Sequence, residues 1–386
     1  MLDVDAIMRP WLDRLLADHG DLALFDAHTH VGADDPDGVK QTPEELLAKL
    51  ARAQARAVVF PMHEPAGYPP ANDRVLEAAA ASDGTLVAFC RVDPRAGALA
   101  EARRCLDAGA RGIKLHPRAE RFTLSEPAVR DLVALAHERR VPVLIHAGRG
   151  IPALGRDTVR LSGEFPGARL ILAHAAISDL AWLWRVLPDH PNLLIDTAWW
   201  DAADMMALFT LVPPGNILWA SDSPYGLPMT SAVLHLRLAV QAGLGGEALR
   251  SIAGGQIERL LDGGDPIDAG PPPRAARPID PLLERVVSHS AQAIARMFGR
   301  GDPSEPVALT KLACGVGQDG AHADVFAAVL GLLETYEANL TDVPEGQRLA
   351  PAARLLVAAM TIARTPDVPL PELPDAPPPT REEADA

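Results

Sequence analysis

Eight short apolar runs, at residues 22–25, 57–60, 86–90, 112–115, 141–145, 170–173, 193–195 and 217–220, recur about every 25 to 30 residues. That spacing is the length of a strand, a helix and two loops. The runs are continuous rather than alternating, the pattern of parallel strands covered on both faces. Between them lie segments with helical spacing and helix starts. Thr42-Pro43-Glu44-Glu45 ahead of Leu46, Leu47 and Leu50 offers an N-cap, a proline in the first turn and early acids. Ser125-Glu126-Pro127 leads into Val129, Leu132, Val133 and Ala136 in the same way. Eight such units predict an α/β fold, a (β/α)8 TIM barrel, over residues 1–262. An open doubly wound sheet is the alternative, but no glycine-rich dinucleotide fingerprint follows the first strand.

The pattern changes after the barrel. Residues 263–281 carry Gly263, Gly264, Pro266, Gly270, Pro271, Pro272, Pro273, Pro278 and Pro281, a composition that reads as a linker. Helical spacing then returns in three groups: Leu283, Val286, Val287, Ile294 and Phe298; Val325, Phe326, Val329, Leu333 and Tyr336; and Leu355, Leu356, Ala359 and Ile362. They predict a small C-terminal α-helical appendage over residues 282–363. From 364 to 386 the chain is proline-rich and acidic, and disorder is expected there.

Composition narrows the function class. The chain has 386 residues, 48% of them hydrophobic, enough for a barrel of about 250 residues and a smaller unit. A formal charge of -15 argues against nucleic acid and against an anionic membrane surface. Cys90, Cys105 and Cys314 are odd in number and form no CxxC pair, so neither a disulfide framework nor a thiolate metal site is suggested. No signal peptide is recognisable and no apolar run approaches the roughly 18 residues of a membrane span. The expected location is the cytoplasm.

Asp26-Ala27-His28-Thr29-His30 closes the first apolar run, and in a strand His28 and His30 point to the same face. Of twelve histidines, His28, His30, His63, His116, His146 and His174 all fall at or just after strand ends, where barrels carry their functional residues. One such histidine can merely satisfy loop carbonyls; six together argue for chemistry. Asp222 follows the eighth strand, although Ser221-Asp222-Ser223-Pro224 by itself also suits an Asx turn. His28, His30, His146 and Asp222 would make a nitrogen and oxygen ligand set suited to zinc or another divalent ion.

Five motifs in order then resemble the amidohydrolase superfamily, specifically its amidohydrolase-related (amidohydrolase 2) family of metal-dependent hydrolases and decarboxylases. They are Asp26-Ala27-His28-Thr29-His30, Gly112-Ile113-Lys114-Leu115-His116-Pro117, Ile145-His146-Ala147-Gly148, Leu172-Ala173-His174-Ala175 and Ser221-Asp222-Ser223-Pro224-Tyr225-Gly226. The resemblance covers about residues 20 to 262 and none of the appendage. It implies the barrel, His28, His30, His146 and Asp222 as metal ligands, and His174 as ligand or catalytic acid/base. Lys114 is placed where binuclear members carry a carboxylated lysine; with His116 and His174 it would then serve a second ion, and otherwise it is a cation for substrate. One ion is favoured over two.

The expected function is hydrolysis of a small organic substrate by a metal-activated water, with Asp222 moving the water's proton and His174 polarising the scissile carbonyl. Non-oxidative decarboxylation on the same scaffold is the first alternative. A vestigial barrel that binds a partner through its helices is the second, and the helical region also suits a homo-oligomer contact. Arg118 and Arg149 are candidates for a substrate carboxylate, Trp199 and Trp200 for a flat pocket wall, and His63-Glu64 for orienting substrate, each beside an ordinary surface or packing role.

Overall fold

The computed structural model describes all residues except 1, 21, 276–277, 342–349 and 373–386. Nine strands follow in chain order: β1 Leu24–Val31, β2 Ala55–Pro61, β3 Leu86–Ala88, β4 Cys90–Arg91, β5 Ile113–Leu115, β6 Pro142–Ile145, β7 Arg169–Leu172, β8 Leu193–Asp196 and β9 Ile217–Leu218. Pairing is parallel throughout, in the orders β1-β2-β3 and β4-β5-β6-β7-β8-β9. Two junctions make these one barrel. β3 and β4 are halves of the third expected strand, parted only at Phe89, whose N–H donates to Val59 O at 2.9 Å and keeps β2 alongside. The ring closes where Ala27 N donates to Trp219 O (3.0 Å), Asp222 N to His28 O (2.9 Å) and His30 N to Ser223 O (2.8 Å).

The barrel is filled rather than hollow. Phe25, Val58, Phe60, Phe89, Leu144, Ile171, Leu194 and Leu218 form an interior cluster, joined by Ile257 and Leu260 of the helix Gln256–Leu261. Gly112 makes room for it: a Cβ there would stand 2.5 Å from the Phe89 ring. The outer helices bury their apolar stripes against the strands, and the helix Pro43–Ala53 begins with a full capping box between Thr42 and Glu45. A further helix, Val4–His19, precedes the barrel and packs on the helix Pro228–Gln241.

Among the described residues the appendage has four helices, Pro281–Phe298, Ser304–Gly317, Ala323–Ala338 and Ala353–Arg364. The first, third and fourth coincide with the expected periodic groups. The last packs on the barrel helix Pro228–Gln241, so the unit is joined to the barrel rather than tethered by the linker alone.

The expectation of disorder from 364 onward needs correcting over its first residues. Thr365 and Val368 are buried, and the Arg237 guanidinium donates to Thr365 Oγ1 and to the carbonyls of Thr365, Val368 and Pro369 at 2.9–3.1 Å. A proline-rich segment cannot satisfy its own carbonyls in a helix or ladder, and here a buried cation from the barrel does so. Residues 373–386 of that tail lie outside the described residues.

Candidate metal centre

β1 carries a register irregularity between Asp26 and Thr29. Asp26 spans it, its Oδ1 accepting from His28 N (3.1 Å) and from Ser221 N across the closure (2.9 Å). Burial pushes this carboxyl up to about 7. Beyond the bulge His28 and His30 face the mouth, and Asp222 meets them from the turn after β9, held at φ 60° in the left-handed region. His28 Nε2, His30 Nε2 and Asp222 Oδ1 are mutually 3.1 Å apart. Among the described residues they form a group whose donor atoms converge closely enough to hold one ion.

The protonation pattern fits a cation at that point. His28 Nδ1 lies 2.8 Å from Asp196 Oδ2, both side chains almost without exposure, so the proton sits at Nδ1 and the Nε2 lone pair faces inward. His30 Nδ1 is buried with no partner among the described residues, while its Nε2 faces another nitrogen and a carboxylate oxygen. Burial, the largest cause for both histidines, lowers their pKa below the ordinary value and keeps them in the neutral, ligating form. Burial alone would raise the Asp222 carboxyl, but the His30 hydrogen bond and nearby imidazoles bring it below the usual range. In the tautomer that donates from Nε2, His30 hydrogen-bonds Asp222 Oδ1; with the proton moved to Nδ1, two lone pairs and a carboxylate face one another at 3.1 Å and a cation among them relieves the repulsion.

Asp196 does more than hold His28. Its Oδ1 also accepts from His174 N (2.8 Å) and Ala198 N (3.0 Å), and burial raises the carboxyl to about 6. His174, Ala175 and Ala176 all have positive φ, 58°, 55° and 48°, a strained run that seats the His174 N–H on Asp196. His174 Nδ1 is 2.9 Å from Ala198 O, and its Nε2 is 2.9 Å from His146 Nδ1.

His146 is therefore beside the converging donors rather than among them. Its ring stacks on His116 at 3.8 Å and 12°, and its buried Nε2 has no hydrogen-bond partner among the described residues. That nitrogen faces Gly148, where a Cβ would stand 2.6 Å away. Lys114 Nζ is 3.4 Å from His28 Nε2 and 4.7 Å from the Phe60 ring centre, and burial, helped by the Arg91 charge, lowers it to about 7.

Further out, His63 is half-buried and makes no hydrogen bond to this cluster among the described residues. Glu64 is buried against Arg74 at 3.7 Å. Arg118 is exposed. Arg149 is exposed too, its guanidinium 5.1 Å from the Trp199 ring centre. Sequence reasoning missed Asp196 as His28's partner, and it missed Arg91, buried on the third barrel strand and paired with Glu120 at 2.7 Å. The only signal for either is a charged residue closing an apolar run.

A parallel eight-stranded barrel whose strand ends converge a His-x-His pair and an aspartate belongs to the class of metal-dependent TIM-barrel enzymes. A family model described as amidohydrolase, Amidohydro_2, matches residues 25–263, and the chain belongs to this amidohydrolase family. It is thus an enzyme of a metal-dependent family acting on small molecules, which sets aside the vestigial-barrel reading. Solved structures agree on the fold. The 5-carboxyvanillate decarboxylase of Sphingomonas paucimobilis matches with TM-score 0.50 and 18% identity over 63% of this chain and 99% of its own. An uncharacterized TIM-barrel protein from Bordetella bronchiseptica matches with TM-score 0.51 and 16% identity over 63% and 99%. The IDCase of Metarhizium anisopliae in apo form gives 0.51 and 12% over 63% and 98%. No curated protein matches the chain. Among the described residues no helix is long and apolar enough to cross a membrane.

Proposed function

We propose that this protein is a hydrolase in which His28, His30 and Asp222 hold one divalent ion, with zinc the best match to the donor set. The single observation that carries the reading is the 3.1 Å triangle of His28 Nε2, His30 Nε2 and Asp222 Oδ1, with His28 fixed from behind by Asp196. The reading keeps His146 as the fourth protein ligand: its buried Nε2, without a hydrogen-bond partner among the described residues, offers a lone pair when Nδ1 carries the proton, although it faces Gly148 here. When bound, such an ion supplies a water of lowered pKa at neutral pH. Asp222 takes a proton at Oδ2, the oxygen turned toward His174 at 3.9 Å, and hands it to the leaving group. His174, its Nδ1 tied to Ala198 O and its Nε2 2.9 Å from His146 Nδ1, polarises a carbonyl from Nε2. The three cysteines are buried and free, which supports a reducing, cytoplasmic setting.

Non-oxidative decarboxylation is the second reading. It is favoured by Lys114 Nζ beside His28 and Arg91 nearby, cations suited to a carboxylate, and by the barrel's likeness to a 5-carboxyvanillate decarboxylase. The experiment is a screen of lactones, amides and carboxylated aromatics with zinc-loaded protein in oxygen-18 water. Label in the product identifies hydrolysis; carbon dioxide release without label identifies decarboxylation. Retention of metal and turnover in His28→Ala overturns the site.

A further inference from the structure

The family match ends at residue 263, yet helices beyond it contact the segments that follow β8 and β9. Phe298, the last residue of the helix Pro281–Phe298, lies 5.5 Å from the Trp200 ring at 40°. Trp200 in turn lies 6.1 Å from Trp199, in the segment that follows β8. Arg354, on the helix Ala353–Arg364, donates to Tyr225 O at 3.5 Å. The Tyr225 ring stands edge-on to His30 at 5.8 Å.

We propose that the C-terminal helical unit is a wall of the substrate entrance, and that Phe298 with Trp199 and Trp200 grips a flat apolar part of an extended substrate beyond its reacting end. The inference rests on the reading that the reacting end lies at His28, His30 and Asp222. Three observations carry it. The first is rigid linkage to the centre: Asp196 holds His28, Ala198 O holds His174, and Trp199 is next in the chain. Trp199 is itself pinned, Nε1 to Asp204 Oδ2 at 2.8 Å and its carbonyl to His235 Nε2 at 2.9 Å.

The second is exposure. Phe298 is 43% exposed beside Trp200, and Tyr225 is 44% exposed beside His30, so both rings offer apolar surface that a ligand can cover. The third is the shape and charge of the patch. A few tilted rings are far below the roughly 1,000 Å² a stable protein interface needs, but they match one planar ligand. Arg149 over the Trp199 face adds a positive charge for an anionic or polar substituent on that ligand.

The test is equilibrium binding of acetate, benzoate and 2-naphthoate to the full-length, zinc-loaded protein, read by tryptophan fluorescence, in wild type, Phe298→Ala, Phe298→Trp and Trp200→Ala. Wild type is expected to bind 2-naphthoate more tightly than acetate. Phe298→Ala and Trp200→Ala should each weaken 2-naphthoate by up to about tenfold, from the loss of one ring contact, with acetate changed less than about twofold. Phe298→Trp should restore the preference. An unchanged naphthoate-to-acetate ratio in Phe298→Ala overturns the proposal, as does a wild type without preference for the larger ring. Zinc content measured on the same samples reports the metal reading separately, since a ring preference lost in Phe298→Ala supports the wall even in protein that has failed to take up zinc.

Discussion

The Asp196 carboxylate holds the His28 imidazole through a 2.8 Å contact to Nδ1 at which neither side chain meets solvent. The other Asp196 oxygen is occupied by the backbone N–H groups of His174 and Ala198. Asp196→Asn keeps the shape but must turn its carbonyl toward those two donors, which leaves its amide N–H₂ facing His28. The imidazole then has to accept at Nδ1 and carry its proton at Nε2, on the side where an ion would bind. The expected result is a 10–100-fold loss of zinc affinity with the melting temperature little changed, measured by chelator competition. Undiminished affinity would show that Asp196 does not set the tautomer.

Lys114→Met tests the ion count. With Nζ 3.4 Å from His28 Nε2 and its pKa lowered to about 7 by burial, the lysine is a cation or a neutral amine according to pH. A one-ion centre requires no ligand from it. Wild type and Lys114→Met should both contain one equivalent of zinc by elemental analysis. Two equivalents in wild type, falling to one in the variant, would make Lys114 a bridging ligand instead.

Gly112→Ala tests the barrel filling. The added methyl would stand 2.5 Å from the Phe89 ring, in an interior already occupied by Phe25, Phe60 and Leu144. A loss of about 1–3 kcal/mol in urea denaturation is expected from overpacking. Wild-type stability would mean that the Phe89 ring has room to move aside.

Much of this molecule is readable in its sequence because it depends on local pattern. The eight apolar runs are the barrel strands, and what escapes is the break at Phe89 and the register irregularity between Asp26 and Thr29, since one-residue departures from regular pairing leave no compositional trace. The helix Ser304–Gly317 escapes for another reason. It turns Leu312 and Val316 to solvent, each 63% exposed, while its buried face of Pro306, Val307, Thr310, Ala313, Cys314 and Gly317 is mostly small, so the large apolar residues do not mark its inner side. In the candidate site, His28, His30 and Asp222 are legible by residue type at strand ends, and the structure draws them together. Asp196 and Arg91 are not, because their partners His28 and Glu120 are remote in sequence. His146 is legible as a strand-end histidine but not in direction, which Gly148 and the stacked His116 ring determine.

His235 gives a pH signature away from the proposed ligands. It is buried between Thr197, Ser231 and the Trp199 carbonyl, and burial lowers its pKa to about 4. Above about pH 6.5 it is neutral in folded and unfolded chains and adds no pH dependence. Between about pH 6.5 and 4 the unfolded chain binds a proton there and the folded chain does not, so stability falls as pH falls, by roughly 3 kcal/mol in all. In His235→Gln that contribution is absent. The stability gap between wild type and variant should therefore narrow by roughly 3 kcal/mol from pH 7 to pH 4, measured by urea denaturation at each pH. Parallel curves would show that the imidazole titrates freely in the folded protein.

Arg237 makes the docking of residues 365–370 testable. Burial lowers its pKa to about 9, so it stays charged at neutral pH, over the Trp11 ring at 5.1 Å. Its hydrogen bonds run to a hydroxyl and three carbonyls of the segment that follows the last helix, and Gln241 adds a contact to Asp367 at 2.9 Å. Arg237→Met keeps the length of the side chain and removes every donor. Thr365 O keeps the Val368 N–H at 3.2 Å, but the carbonyls of Val368 and Pro369 lose the Arg237 donors and regain partners by moving into water, because each buried acceptor left unpaired costs about 1–3 kcal/mol. Amide exchange at residues 365–370 should accelerate at least tenfold in the variant, while the helix Ala353–Arg364, held by its own apolar face on the helix Pro228–Gln241, keeps most of its protection. Equal exchange at 365–370 in both proteins would place the anchor of that segment elsewhere. Loss of protection in both segments together would make the strap and the last helix one cooperative unit.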